Sequence, residues 1–521
     1  MKPSPTDCGD RLDFGCLVCV EATLGSRMAP MLARYAVLLA AVTFAAPAFA
    51  ATRVELATVG PDFAIWVVDT DGAAVVGVTV DDGSATRDAV IDTVKDRFHR
   101  ARIDGLTPGR DHACVVRVDG IEVPAGPRSP ATFRTLVPPG EPVFRFATVT
   151  DTHVGETVAG LVGGMDYKGF SWPDPALPYW RFTNEAAVRE ISAAGVEFVI
   201  HKGDLTAEAA PDQVQTARAI FDALVPPWHP LRGNHDRPHD GADSFVTGLG
   251  LAKTWGAFDA HGHRFLLLDS SDADGNPIMD ETQLEWVESE LHDAGVARRP
   301  TWVVLHHAVT EQASPLYTLW GDSRDRVLAA IAAASPAVVG VLSGHSHRNV
   351  RLASDTAPGV PFVETASTKE YPGMWTEVRV YTGGWMQIAH PIDCPECREW
   401  YATTTGEYDG SAPEMQMGVL EDRCFVVVFD PSLQVASGEG SEPGEEAGDA
   451  ASQDATTTPE ASDLADSSAA EDASLPAPGS GSCAGQGHPA RPGPAGFLVI
   501  AWMGLCGLRR TRGRGAIRKE G

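Results

Sequence analysis

Residues 143–153 read Val-Phe-Arg-Phe-Ala-Thr-Val-Thr-Asp-Thr-His, a strand-like apolar run that ends in two potential metal ligands. Further along the chain, other apolar runs also end in short polar clusters, and helical patterns lie between them. This alternation predicts β–α units and an α/β fold. The polar clusters, in chain order, are Asp151-Thr-His153, Gly203-Asp204, Gly233-Asn234-His235-Asp236, His306-His307 and Gly344-His345-Ser346-His347.

These clusters are expected to meet at one edge of the fold, because the carboxyl ends of strands in an open α/β sheet converge on the ligand site. Their carboxylates, imidazoles and amide are donors that suit Mn, Fe or Zn. The glycines beside the donors allow tight turns and a close approach to metal ions. The sequence therefore predicts a metal site built from several strand ends.

The five clusters, in this order, resemble the calcineurin-like metallophosphoesterase superfamily, whose pattern is D-x-H, G-D, G-N-H-[DE], H and G-H-x-H. The resemblance covers residues 143–385 and implies a catalytic domain with a four-layer α/β/β/α sandwich. It also implies two divalent metal ions (Mn, Fe or Zn) and hydrolysis of a phosphodiester or phosphomonoester by metal-bound hydroxide. The D-x-H block favours the diester.

The resemblance assigns a role to each residue of the clusters. His235 would protonate the leaving alkoxide, and Asp236 would orient the His235 imidazole. His306 is preferred to its neighbour as a ligand because Val303-Val-Leu-His306 matches the V-x-x-H block, which leaves His307 to line the pocket or hydrogen-bond behind the ligands. The implied ligands are Asp151, His153 and His347 for the first metal, Asn234, His306 and His345 for the second, and Asp204 as the bridge between them.

Two departures separate the chain from purple acid phosphatases. Their G-D-x-x-Y block places a metal-bound tyrosine where this chain has Ala207, and their D-x-G block is D-x-H here because of His153. We therefore expect no ferric-tyrosinate colour. The site resembles bacterial phosphodiesterase-type members of the superfamily more closely.

Other residues near the clusters leave alternatives open. The aromatic insert that follows His153 either caps the site or packs as a loop on its own aromatic side chains. His201 is interpreted as a structural strand histidine, and Arg232 either contacts phosphate or is a strand-end surface charge. Glu370 and Tyr371 receive no role.

Capping signals predict the start of two helices. The helix from Asn184 to Ala194 is expected to begin after Thr183 as N-cap and to end before Gly195. A capping-box pattern, Asp280-Glu-Thr-Gln283, predicts the start of a second helix.

A separate all-β sandwich is predicted over residues 52–136, where short alternating runs such as Phe63–Val68 are separated by turn residues. Its Leu106-Thr-Pro-Gly109 and Thr132-Phe-Arg-Thr135 segments resemble fibronectin type III-like modules, including those that precede the catalytic domain of purple acid phosphatases. At the other end of the catalytic domain, residues 386–435 are expected to form a cysteine-containing β extension.

The body contains a CxxC pair, Cys394-Pro-Glu-Cys397. It is half of a zinc site at most, because the body, residues 51–435, has no second CxxC. A disulfide between two of Cys394, Cys397 and Cys424 is favoured, and the sequence leaves the pairing open.

Both ends of the chain carry targeting signals. Residues 1–50 contain a basic flank, an apolar run and Ala48-Phe49-Ala50, which predict a signal peptide cleaved after Ala50. Residues 436–482 carry eleven acidic residues and no Lys or Arg, which predicts a disordered linker. Residues 483–521, with a Cys, a short apolar segment and an Arg cluster, resemble a myxobacterial-type C-terminal sorting tail. The predicted location is the periplasm or the cell surface and outer membrane; the alternative is a single-pass inner-membrane anchor.

The formal net charge of -29 argues against nucleic-acid binding, which requires a basic face. It does not argue against a phosphate-ester substrate, because bound metal ions invert the local field. The alternative function is a catalytically inactive surface binding protein on a metallophosphoesterase scaffold. The complete ligand set argues against that alternative.

Overall fold

The computed structural model describes residues 51–90, 95–162, 165–238 and 241–433. The predicted signal peptide, acidic linker and sorting tail lie outside these ranges. Among the helices that are described, none combines the length and the hydropathy needed to cross a bilayer.

The N-terminal region consists of two antiparallel sheets that enclose one core. The first sheet has the order β1-β2-β5; the second has the order β4-β3-β6-β7, with β8 paired to β6. Trp66 from the first sheet and Val78, Val116 and Phe133 from the second belong to the same buried cluster. The strands are β1 (Ala51–Val59), β2 (Phe63–Ala74), β3 (Val76–Asp81), β4 (Thr86–Val90), β5 (Asp96–Asp104), β6 (Asp111–Val118), β7 (Ile121–Glu122) and β8 (Thr132–Arg134).

The rest of the described chain contains two six-stranded mixed sheets. Their orders are β11-β10-β9-β18-β19-β20 and β12-β13-β14-β15-β17-β16. The strands are β9 (Pro142–Val149), β10 (Phe198–His201), β11 (Trp228–Pro230), β12 (Gly256–Ala260), β13 (His263–Leu268), β14 (Thr301–Leu305), β15 (Val338–Ser343), β16 (Val350–Leu352), β17 (Phe362–Glu364), β18 (Met374–Tyr381), β19 (Gly384–Pro391) and β20 (Cys424–Val428).

Helices cover the outer face of each sheet. A short 3-10 turn spans Asn234–Asp236. The α-helices are α1 (Tyr179–Ala194), α2 (Pro211–Phe221), α3 (Ser244–Leu249), α4 (Glu281–Ala297), α5 (Gly321–Ala334), α6 (Pro395–Thr404), α7 (Glu407–Gly410), α8 (Ala412–Met415) and α9 (Leu420–Arg423).

Alternating side chains of the strands fill separate hydrophobic layers. In β14, Trp302 and Val304 face the other sheet, whereas Val303 and Leu305 pack under α4 and α5. A third cluster fills the space between the six-stranded sheet that contains β9 and helices α1, α2 and α6. Because β14 is buried on both faces, its sequence is a continuous apolar run. The predicted α/β/β/α sandwich, preceded by an all-β region, is confirmed.

The strands of the expected C-terminal β extension, residues 386–435, belong to the six-stranded sheet that contains β9. The boundary at 385/386 falls inside β19, which pairs with β18 on one side and β20 on the other. The chain between β19 and β20 is helical, from α6 to α9. These strands extend the six-stranded sheet that contains β9, and Trp385 and Phe425 pack in its buried core.

The capping predictions had mixed outcomes. Asp280 is the N-cap of α4, and its carboxylate accepts a hydrogen bond from the amide of Gln283. Helix α1 ends before Gly195, which has a φ of 69°. The predicted N-cap Thr183 is wrong, since α1 begins at Tyr179 and the Thr183 hydroxyl donates to the Tyr179 carbonyl. The CxxC pair forms the disulfide, and Cys424 remains a free buried thiol.

His263 makes the stability of this fold depend on pH. Burial lowers its pKa to about 3 from 6.5, and its Nδ1 accepts a hydrogen bond from Trp302 Nε1. Below pH 6.5 the unfolded chain binds a proton that the folded protein excludes, so the free energy of unfolding falls as the pH decreases toward 3. The slope from this side chain is at most about 1.4 kcal/mol per pH unit.

We therefore expect His263→Asn to flatten the loss of stability between pH 6.5 and 4, measured by denaturant unfolding at several pH values. Asn keeps an acceptor near the Nδ1 position and does not titrate. His292→Asn is the matched control, because this imidazole is exposed on α4. An equal slope in His263→Asn and the unaltered protein would contradict the prediction.

Candidate metal centre

The predicted ligands come together at the carboxyl ends of strands from both sheets. Donor atoms within 4.8 Å of one another form the groups Asp151–His153–His347, Asp151–Asp204–His306, His153–Asp204–His235 and His306–His307–His345. Asn234 joins them, since its Oδ1 lies 3.1 Å from His306 Nε2. All seven residues assigned as ligands from the sequence are therefore adjacent in space.

Backbone conformation directs most of these side chains into the site. Five of the seven predicted ligands have positive φ angles in the left-handed region, which costs a non-glycine residue roughly 1–3 kcal/mol. Such a conformation turns the chain sharply where each strand ends. The angles are 54° for Asp151, 42° for His153, 52° for Asp204, 65° for His345 and 54° for His347.

Two glycines of the predicted clusters are required by close contacts. A Cβ atom at Gly233 would lie 2.2 Å from both the amide nitrogen and Oδ1 of Asp204. A Cβ atom at Gly344 would lie 2.0 Å from Thr150 Oγ1 and 2.8 Å from Asp151 Oδ2. A side chain at Gly233 would therefore displace Asp204, and one at Gly344 would disturb Asp151 and the Thr150 hydroxyl that donates to it.

Each carboxylate has one oxygen fixed and the other directed at the imidazoles. Asp151 Oδ2 accepts hydrogen bonds from the Thr150 hydroxyl and the His345 amide, and Oδ1 lies 3.2 Å from His347 Nε2. Asp204 Oδ1 accepts from the His235 amide at 2.8 Å.

The second oxygen of Asp204 faces both halves of the site. Its Oδ2 lies 3.2 Å from His306 Nε2 and 3.6 Å from His153 Nε2. Asp204 thus stands where the sequence placed a bridging ligand.

The donor set fits divalent metal ions. Asp151 Oδ1 and His153 Nε2 are buried and have no hydrogen-bond partner, as expected of atoms that face an ion. The separations of 3.2–3.6 Å between facing donor atoms suit ligands that share an ion at about 2.0–2.2 Å. The mixture of carboxylate, amide and imidazole donors supports divalent metal binding.

The far nitrogen of three imidazoles is held by an acceptor, which fixes the tautomer. His306 Nδ1 donates to the Lys202 carbonyl at 2.9 Å and His347 Nδ1 to Glu370 Oε1 at 2.6 Å, so each presents Nε2 to the site. His345 uses the opposite nitrogen, because its Nε2 faces the Leu316 carbonyl at 3.3 Å. Its Nδ1 is therefore the atom left for an ion.

The pKa values show how strongly these groups depend on one another. Burial alone would raise the pKa of Asp204, but His306 and His235 outweigh it and hold that pKa well below its usual range. Burial lowers the pKa of His153 and of His307, which favours their neutral forms. The carboxylates are therefore ionised, as metal ligands must be.

The expected role of Asp236 is wrong. Its carboxylate accepts hydrogen bonds from the amides of Leu205, Thr206 and Gly233, and from the Thr206 hydroxyl, and makes none with the His235 ring. Asp236 instead links two turns: its own turn, after β11, and the turn after β10 that carries Asp204.

The Ala207 carbonyl orients His235. It lies 2.8 Å from His235 Nδ1, so this nitrogen donates and Nε2 is left to exchange a proton. Ala207 occupies the position of the metal-bound tyrosine of purple acid phosphatases. In this chain the position contributes its backbone.

The structure also decides between several open alternatives. His307 hydrogen-bonds through Nδ1 to Ser270 Oγ at 2.9 Å, and its ring lies beside that of His345 with centroids 4.4 Å apart. His201 is structural: it is buried, its Nε2 lies 3.0 Å from Thr152 Oγ1, and burial lowers its pKa to about 3. Arg232 is neither exposed nor free, because it pairs with Asp243 and Asp269.

The aromatic insert after His153 packs on the fold. Tyr179 stacks on Trp400 with ring centroids 4.3 Å apart, and Trp172 contacts Phe182 and Trp400 edge-on. These rings therefore belong to the helix-covered core, which argues against both a cap on the site and a loop packed only on its own aromatic side chains.

Sequence reasoning missed two buried residues behind the ligands. Lys202 Nζ donates to the Ser343 carbonyl at 2.5 Å and to Thr365 Oγ1 at 2.6 Å, which ties β10 to the ends of β15 and β17 in the other sheet. Glu370 accepts from His347. The adjacency of Lys202 to the G-D block was the only signal for the lysine, and Glu370 lies far from the clusters in sequence.

Comparison with known proteins supports this site over part of the chain. Residues 144–349 match the family model for the calcineurin-like phosphoesterases. No curated protein sequence matches the chain.

Several solved structures resemble the fold. A dimetal phosphatase from Danio rerio is 14% identical, with a TM-score of 0.41, over 56% of this chain and 100% of that one. A purple acid phosphatase from yellow lupin (Lupinus luteus) seeds is 12% identical, with a TM-score of 0.38, over 76% of this chain and 78% of that one. A putative 5′-nucleotidase from Staphylococcus aureus is 12% identical, with a TM-score of 0.34, over 50% of this chain and 57% of that one. At these TM-scores the likenesses carry no argument about activity.

Gly344→Ala tests the contact between the glycine and Asp151. The added methyl group would clash with Thr150 Oγ1, which donates to Asp151 Oδ2, and with Asp151 Oδ2 itself. We therefore expect the variant to lose at least one of two tightly bound ions, measured by elemental analysis after dialysis against Mn²⁺ or Zn²⁺. Gly256→Ala is the matched control, because a Cβ atom there meets nothing within 4 Å. Full metal content in Gly344→Ala, with a folded circular dichroism spectrum, would refute the assignment of Asp151.

Proposed function

We propose that the protein is a dinuclear-metal phosphoesterase that hydrolyses phosphodiesters or phosphomonoesters, with the diester favoured by His153 in the D-x-H block. The observation that carries the proposal is the convergence of two buried carboxylates, four imidazoles and one amide within a calcineurin-like domain. Mn, Fe and Zn all suit this mixed donor set.

When bound, two divalent ions would neutralise phosphoryl oxygens and lower the pKa of an attacking water molecule. The side chains of the site are already arranged to hold these cations. Asp204 can reach both metal positions because its Oδ1 is fixed and its Oδ2 faces His153 and His306. Cations held here also explain how a chain of net charge -29 would attract an anionic ester.

His235 is placed to give a proton to the leaving group. Its ring lies at the partly exposed edge of the site, 4.6 Å from the His153 ring between centroids. The Ala207 carbonyl holds Nδ1, so the proton is delivered from Nε2 when the imidazole is charged. A leaving alkoxide needs this proton, whereas a p-nitrophenolate does not.

We also propose that the protein is exported and retained at the cell surface or in the periplasm, with an inner-membrane anchor as the alternative. The composition of residues 1–50 and 483–521 supports this. The two-sheet architecture of the N-terminal region supports a fibronectin type III-like module. Recovery of the uncleaved chain from the cytoplasmic fraction of the native cell would contradict export.

The activity is tested with the full chain and Mn²⁺, on p-nitrophenyl phosphate and bis(p-nitrophenyl) phosphate. We expect metal-dependent turnover that EDTA removes, with the bis ester preferred. Asp204→Asn and His306→Ala should each lower kcat/KM by at least about 10²-fold, because each change removes a residue proposed to bind a metal ion directly. Bound metal without turnover of any phosphate ester would favour the inactive binding protein.

Leaving-group dependence separates the role of His235 from metal binding. His235→Gln should lower kcat about 10²–10⁴-fold on a phenyl or alkyl ester, and much less on the p-nitrophenyl ester, because only the former needs a proton donor. Metal content should stay at two ions per chain. Equal losses on both esters would refute the general acid.

A further inference from the structure

Two imidazoles of the first metal position have a carboxylate on their outer side. His347 Nδ1 lies 2.6 Å from Glu370 Oε1, and His153 Nδ1 lies 3.7 Å from Glu156 Oε1. A carboxylate behind a ligating imidazole fixes the orientation of the ring and raises the basicity of the nitrogen that binds the metal. Neither glutamate belongs to the polar clusters that follow the strands.

Lys369 joins these two carboxylates. Its Nζ lies 2.5 Å from Glu156 Oε2 and 3.3 Å from Glu370 Oε2, and only 3% of its side chain is exposed. Tyr179 OH also donates to Glu156 Oε2, at 2.6 Å. The buried ammonium thus compensates both carboxylates, and the three side chains form one unit behind the site.

The loop that carries Lys369 and Glu370, residues 367–373, is buried along its length. Helix α6 holds it from outside: Trp400 Nε1 donates to the Lys369 carbonyl, and Tyr401 OH donates to the Thr368 carbonyl. The Tyr371 amide donates to the Thr404 hydroxyl at 2.9 Å.

The all-β region reaches the same loop. Tyr371, which follows Glu370 in the chain, donates its hydroxyl to Glu55 Oε1 at 2.7 Å. Glu55 lies on β1 and is 2% exposed, and it also accepts from Arg128 at 2.6 Å. A hydrogen bond from the N-terminal region therefore ends one residue away from the carboxylate that orients His347.

We propose that Glu156, Lys369 and Glu370 form a clamp that positions His153 and His347. The all-β region holds the clamp in position through the hydrogen bond between Glu55 and Tyr371. The inference rests on the proposed metal function. In this arrangement the N-terminal region contributes to metal affinity, although none of its described residues belongs to the groups of candidate ligands. Glu370 is a positioning residue, because it acts on the ion through His347.

The first test is Glu370→Gln in the full chain, with Mn²⁺ titrated in competition with a chromophoric chelator. Gln keeps the volume and the acceptor but removes the charge. We expect the Kd of one of the two Mn²⁺ equivalents to rise about 10–100-fold, and the other to stay within a factor of about two. Unchanged Kd values for both equivalents would overturn the positioning role.

The second test compares two hydroxyl deletions at one interface. Tyr371→Phe removes the hydrogen bond to Glu55. Thr58→Val removes the hydrogen bond from Thr58 Oγ1 to the Ala389 carbonyl of β19, which also links the all-β region to the catalytic part of the chain. We expect Tyr371→Phe to raise the Kd of the same equivalent about threefold to thirtyfold. Thr58→Val should leave both Kd values unchanged, while thermal unfolding reports its effect on stability.

Equal Kd values in Tyr371→Phe and the unaltered protein, or equal shifts in the two hydroxyl variants, would overturn the coupling between the all-β region and the clamp. These readouts do not depend on turnover. If the unaltered protein binds two Mn²⁺ ions but hydrolyses no phosphate ester, the proposed function is refuted. The Kd values of the three variants still decide whether the clamp exists.

Discussion

The burial of Asp151 and Asp204 is the constraint on which the site and its surroundings depend. Neither carboxylate is more than 1% exposed, and a buried negative charge is stable only when it is paired and hydrogen-bonded. Backbone amides satisfy one oxygen of each carboxylate, and imidazoles face the other. The facing atoms converge, so one or two cations complete the compensation better than the imidazoles alone.

Holding these groups together requires both sheets. Lys202 ties the end of β10 to the ends of β15 and β17, and its carbonyl also fixes the tautomer of His306. Left-handed backbone at five ligands and close contacts at Gly233 and Gly344 bring the turns to the required separation. The packed layers on either side of β14 offset the cost of these conformations.

Much of this could be predicted from the sequence, because the strands and their terminal clusters are local patterns. Buried parallel strands are continuous apolar runs, and the ligands follow them directly. The failures have a common cause. Asp236 was expected to orient its neighbour His235, but adjacent side chains in a turn point in different directions, and Asp236 faces the turn after β10. The sequence also did not show which sheet the strands of residues 386–435 join, because sheet membership depends on pairing partners far away in the chain.

The sequence by itself determined the α/β fold, the order of the ligand clusters and the chemistry of the donors. Strand periodicity and residue type are properties of residues that are close together in the chain. Only the tertiary structure decided which side of each imidazole is free, that the Ala207 carbonyl holds His235, and that Lys202, Glu156, Lys369 and Glu370 stand behind the ligands. The hydrogen bonds among them join residues between 23 and 213 positions apart. Hydrogen bonds over such separations depend on how the sheets, the all-β region and α6 pack, and no local pattern specifies that packing.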